Sequence, residues 1–163
     1  MKEQKRIQNK FQWVPMHLRN KLAPPHKADH RSPLYWIACD GGERYFVNNT
    51  TEILEKVIVD TGGFVSCDDE IATIDIGKGY YYTHILPMEA VKIEEYDDYY
   101  DLDYVLQISL VVHSLLHGCF EIRTLGKKGG IGEAVLLWDS LEAGKNIDVS
   151  NLAMINSVQS LFH

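Results

Sequence analysis

Residues 94–118 read EEYDDYYDLDYVLQISLVVHSLLHG, and how they are read decides the fold. The first ten hold Glu94, Glu95, Asp97, Asp98, Asp101 and Asp103, interleaved with Tyr96, Tyr99 and Tyr100. Tyr104 follows, and from there to Phe120 the chain carries no Lys, Arg, Asp or Glu. The spacing of Leu102, Val105, Leu106, Leu110 and Leu116 predicts a helix. Asp98 or Asp101 would cap it, where free N–H groups and the positive dipole end favour a carboxylate. Ile108, Val111, Val112 and Leu115 fill its other side, so it would be buried all round. Gly118 would stop it. The competing reading is a strand over residues 104–112, favoured by Val and Ile. The length of the run without turn residues argues for helix.

Working outward, residues 34–39 (LYWIAC) and 44–48 form a hairpin around Asp40-Gly41-Gly42. Asn49, with Glu52 three residues on, opens a second helix through Ile53, Leu54, Val57 and Ile58 to Gly62-Gly63. Residues 64–67 make a short strand. Residues 71–76 and 80–86 alternate around Gly77-Lys78-Gly79, a second hairpin. Residues 89–95 fit strand or helix. On the far side of the central run, residues 119–125 alternate as a strand. Helices are expected over 133–143 and from Asp148 or Ser150 through Leu161. The fold class is therefore α+β: a mainly antiparallel sheet built from hairpins, packed against the central buried helix and C-terminal helices.

A chain of 163 residues makes one domain. Its net charge of −7 is uneven. Residues 1–33 hold eight Lys or Arg against only Glu3 and Asp29, and four of the five prolines. They read as a basic, proline-punctuated arm on a domain spanning 34–163, with a short amphipathic helix over residues 2–13. The arm either folds over its own acidic body or touches a polyanion. Phe11 and Trp13 argue for docking. Cys39, Cys67 and Cys119 are widely spaced and read as buried reduced thiols of a cytoplasmic protein. The first residues lack the apolar core of a signal peptide, and the uncharged run is too short to span a bilayer. Asn48 and Asn49 each begin an N-x-Thr pattern, read as a helix cap.

His113 and His117, four apart, would share a face of the central helix, the spacing of helical zinc sites. HExxH is absent, so no metal and no cofactor is assigned. Residues 126–132 (GKKGGIG) hold glycines and lysines before an expected helix, but match neither phosphate-loop pattern. No nucleophile motif is present. The alternative function is a metal-dependent or nucleic-acid-processing enzyme using His113, His117 and the basic arm.

The acidic tyrosine segment is the candidate site: Glu94, Glu95, Tyr96, Asp97, Asp98, Tyr99, Tyr100, Asp101 and Asp103. A solvated loop needs no tyrosine, whereas tyrosine is enriched at interfaces and carboxylates attract a basic partner. With Asp68-Asp69-Glu70 and Tyr80-Tyr81-Tyr82 in support, the chain resembles the immunity proteins of bacterial polymorphic-toxin and contact-dependent growth inhibition systems. That resemblance implies no catalysis. It implies a cytoplasmic protein that binds a cognate toxin, often a basic nuclease, and covers its active site. Neither membrane nor nucleic acid is the expected partner.

Overall fold

The structure, a computed structural model, describes residues 4–19, 29–60, 79–96 and 105–151. The elements in chain order are β1 (Arg6–Gln8), α1 (Met16–Arg19), β2 (Pro33–Asp40), β3 (Glu43–Asn48), β4 (Leu54–Asp60) and β5 (Tyr80–Ile85). There follow β6 (Glu89–Glu95), β7 (Val105–Leu106), β8 (Ser109–Ser114), β9 (Gly118–Thr124), β10 (Lys127–Lys128), β11 (Ala134–Trp138) and β12 (Ile147–Asn151). One five-stranded sheet runs β1-β6-β3-β2-β11, a second runs β12-β9-β8-β4-β5, and β10 pairs with β7. Among the described residues every strand pair is antiparallel.

Alternation on the strands explains how the sheets stack. Tyr35, Ile37, Phe46, Val91 and Ile93 of the first sheet share one buried cluster with Val57, Val59, Leu110, Val112 and Ile122 of the second. The two sheets thus face each other across a common core, as in a sandwich. Each aliphatic side chain buried there stabilises the fold by about 1.5–3 kcal/mol. In β2 the other face is apolar too. Trp36 and Ala38 join Tyr45, Val47 and Ala90 in a second cluster, covered by Ile7, Phe11 and Trp13 of the arm. The first sheet therefore has no wet face at its centre, and the arm closes it.

The α+β expectation is corrected: among the described residues the only helix is α1, four residues long. The supposed central helix is β7, β8, a turn and the start of β9. Ile108, Leu110 and Val112 enter the common core, while Val111 is 1% exposed on the opposite face. A strand covered on both faces shows no polar alternation, so it imitates a buried helix. The length objection fails because the run doubles back. Leu115 and Leu116 stand out in the turn, 79% and 73% exposed, and Gly118 takes a φ of 97° that closes the hairpin.

The helix expected from Asn49 is replaced by a turn and β4. Asn48 is fully buried. Its Oδ1 accepts from the Thr50 N–H and hydroxyl, and its Nδ2 donates to the Glu52, Ile85 and Leu86 carbonyls. One amide thus ties the end of β3 to the start of β4 and the end of β5, across both sheets. The N-x-Thr pattern marks this turn instead of a helix cap. The helix expected over 133–143 is β11, paired with β2; register shifts there let both Leu136 and Leu137 reach the core. The helix expected from Asp148 begins as β12; residues 152–163 lie outside the described residues, as do 64–67 and 71–76. The arm's amphipathic helix is replaced by β1.

The thiol expectation is also corrected. Cys39 is free but exposed, near the end of β2, and Cys119 is disulfide-bonded. Cys67 lies outside the described residues. The compartment argument from reduced thiols therefore lapses. Among the described residues no helix is long and apolar enough to cross a membrane.

Candidate functional site

Glu94 and Glu95 close β6, opposite Arg44 and Glu43 of β3. Glu95 accepts from Lys92 at 2.6 Å, and Lys92 also lies 3.5 Å from Glu43. The register shifts between Arg44 and Tyr45, and this extra residue resets the alternation so that Tyr96 turns inward. Tyr96 is 7% exposed and belongs to the core. Its N–H donates to the Gly42 carbonyl at 2.8 Å, and its hydroxyl accepts from the Ile131 N–H at 3.1 Å. The Arg44 guanidinium sits 5.0 Å from its ring centre. Gly130 lies against its other contacts so closely that a Cβ there would come within 2.6 Å of the ring. Burial pushes the phenol's pKa up.

Tyr96 is thus a buried post, not an exposed anchor. Tyr80 and Tyr82 are corrected in the same sense: both lie in the core, and the Tyr82 hydroxyl donates to the Lys92 carbonyl. Asp97, Asp98, Tyr99, Tyr100, Asp101 and Asp103 lie outside the described residues, as do Asp68, Asp69 and Glu70. Sequence reasoning missed the residues that hold the post, Arg44, Gly42, Gly130 and Ile131. Glycines in pairs beside a charged run were the available signal, since a ring needs room against backbone.

The arm folds over its own body. Lys5 pairs with Glu43 at 3.0 Å, Lys10 with Asp40 at 2.5 Å and Arg19 with Glu133 at 2.8 Å. Arg6 holds Glu89 through two hydrogen bonds, of 2.8 and 3.3 Å. Phe11 packs on Tyr45, and Trp13 on Trp36, each with ring centres 5.3 Å apart. Arg31 pairs with Asp29 at 2.9 Å. Lys2, Lys21 and Lys27 lie outside the described residues.

The Lys5–Glu43 pair makes the docking pH-dependent. Hydrogen bonding from Lys5 holds the Glu43 carboxyl below its ordinary 4.5. The Arg31 guanidinium holds Asp29 at about 2 against an ordinary 3.8. A carboxyl depressed in the fold binds protons more readily when unfolded, so its contribution is present above the ordinary value and lost as pH falls through the folded one. The arm should therefore loosen progressively as pH drops below 4.5, and sooner in high salt. Tryptophan fluorescence through an acid titration reads this, because Trp13 would leave Trp36; emission flat down to pH 2 would refute it.

The histidine pair does not form the expected constellation. His113 lies in β8, with Nε2 3.7 Å from Cys119 Sγ, while His117 lies in the turn. Four residues bring two side chains together on a helix, and here there is none. Among the described residues no group of three His, Cys, Asp or Glu is placed to hold a metal. Residues 126–132 contain β10 and lead into β11, so the glycines precede a strand instead of the expected helix.

No family model, curated protein or solved structure matches the chain. The functional reading rests on the geometry and composition of these residues alone.

Proposed function

We propose that the chain is an immunity protein, which binds a basic toxin domain, such as a nuclease, and covers its active site. Carboxylates of residues 94–103 would pair with the cations of the toxin's substrate groove, speeding encounter and fixing register. The observation that carries the reading is the mounting of this segment. Tyr96 is buried and held from three sides at one end, and β7 is paired with β10 at the other. A charged segment pinned at both ends loses less freedom on binding than a free tail. The arm's cations support the same reading. Lys5, Arg6, Lys10 and Arg19 are committed to carboxylates of the body, so they do not form an open nucleic-acid surface.

With Tyr96 withdrawn into the core, the docking anchors in this proposal are Tyr99 and Tyr100, flanked by Glu94, Glu95, Asp98 and Asp101. The test is direct. If a toxin-like product is encoded beside this chain, it is purified and its affinity for the chain measured; a neighbourhood with no such product would count against the proposal. Asp98→Ala with Tyr99→Ala should cost about 3 kcal/mol or more, the scale of central interface residues. Co-expression of the unaltered chain should relieve growth arrest by that toxin. Unchanged affinity in the double variant would remove the segment from the account.

A further inference from the structure

A cleft of about 870 Å³ opens between the arm and the edge of the sandwich. Trp13, His17 and Arg19 wall it on the arm side; Lys127 and Gly132 of the glycine-lysine loop, Trp138 and Lys145 wall it on the other. Its size is that of sites for small organic ligands. Its charge is the reverse of the chain's. Four cations, Arg19, Arg31, Lys127 and Lys145, face two carboxylates, Asp29 and Glu133, in a protein of net charge −7.

The two carboxylates are already taken. Glu133 receives two hydrogen bonds of 2.8 Å from Arg19, and Asp29 receives bonds of 3.1 and 2.9 Å from Arg31. Each guanidinium is also laid on an indole: Arg19 is 4.6 Å from the Trp13 ring centre and Arg31 4.3 Å from that of Trp138. These arginines are therefore fixed parts of the wall. Lys127 and Lys145 make no ion pair among the described residues. His17 adds a buried Nδ1 with no hydrogen-bond partner, an unmet need in a site otherwise satisfied. Apolar surface lies beside the charges, with Leu125 and Met16 59% and 53% exposed.

We propose that this cleft binds an organic phosphate of mononucleotide size, a planar ring system carrying a phosphate group. Lys127 and Lys145 meet the phosphate, whose double charge matches two uncommitted ammonium groups. The ring lies on the apolar wall, and His17 Nδ1 makes the remaining hydrogen bond. Gly129 and Gly130, with φ of 82° and 102°, turn the loop where a side chain would be strained, and the residues on either side of that turn, Lys127 and Ile131, line the cleft. This is the role that the glycine-lysine loop lacks as a helix cap. It stands apart from the toxin-binding reading, and either can fail without the other.

The test is isothermal titration of the full chain at low salt with AMP, GMP, CMP and UMP, with adenosine, and with inorganic phosphate. At least one mononucleotide should bind with sub-millimolar affinity. Adenosine and inorganic phosphate should each bind at least tenfold more weakly, because each lacks one half of the match. Lys127→Ala with Lys145→Ala should weaken mononucleotide binding at least tenfold while leaving the melting temperature unchanged, since both side chains are exposed. The proposal is overturned if no mononucleotide binds, if inorganic phosphate binds as tightly, or if the double variant binds as well as the parent.

Discussion

Deleting residues 1–19 should leave a chain that no longer folds cooperatively at room temperature. Three losses coincide. The cluster of Trp36, Ala38, Tyr45, Val47 and Ala90 loses its cover of Ile7, Phe11 and Trp13. Removing a well-packed Phe or Trp typically costs about 3–5 kcal/mol. Glu89, 8% exposed, loses the part-exposed Arg6, and losing hydrogen bonds to a charged group costs about 1.5–3 kcal/mol. Finally, β6 loses the edge pairing of Arg6 with Val91 and Gln8 with Glu89. A domain stable by about 5–15 kcal/mol does not survive losses of that size together. The single change Trp13→Ala should cost about 3 kcal/mol, because the indole is only half-buried but touches both Trp36 and Trp138. Urea titration read by circular dichroism checks both. A truncated chain with an unchanged midpoint would show that the arm merely rests on the sheet.

Gly144→Ala is expected to cost at least about 3 kcal/mol, at the severe end for one methyl group. A Cβ there would lie 1.7 Å from the Val135 carbonyl oxygen and 2.6 Å from its carbon. Neither side of that contact is a flexible side chain. Gly144 donates to the Leu136 carbonyl, and Trp138 donates to that of Glu142. Residues 142–144 thus run against β11 while β11 is paired on its other side with β2. Relief would require shifting a strand already in register. Gly41→Ala is the comparison. Gly41 has a φ of 59° but nothing within 4 Å, so only backbone strain of about 1–2 kcal/mol applies. Equal costs in the two variants would mean that the close approach at Gly144 does not matter.

The first hairpin was legible because its signals are local. Two glycines follow Asp40, and the register from Tyr35↔Asn48 to Asp40↔Glu43 follows from a two-residue turn. The β8–β9 hairpin was not, because both faces of β8 are covered. Val111 and Val112 are both buried, and the turn is made by Leu115, Leu116 and His117, with Gly118 alone as a turn-forming signal. The same cause hid β11, where bulges put Leu136 and Leu137 side by side in the core. At the candidate site, composition marked the charged segment but not the direction of Tyr96, which depends on a register shift against a distant strand. The arm's docking was foreshadowed by Phe11 and Trp13. Its ion-pair partners come from β2, β3, β6 and the approach to β11, which no local pattern can name.

The placement of β1 also sets an order of events on the ribosome. Arg6 registers with Val91, more than half the chain later, so this strand cannot find its neighbour until much of the polypeptide has emerged. Trp36 and Tyr45 arrive far sooner, and Trp13 and Phe11 can settle on them at once, since closing a short loop costs little entropy. Aromatic contact in the nascent chain should therefore come first, with strand registration last. In refolding, tryptophan emission would change in an early phase, and amide protection at Ile7 would trail it.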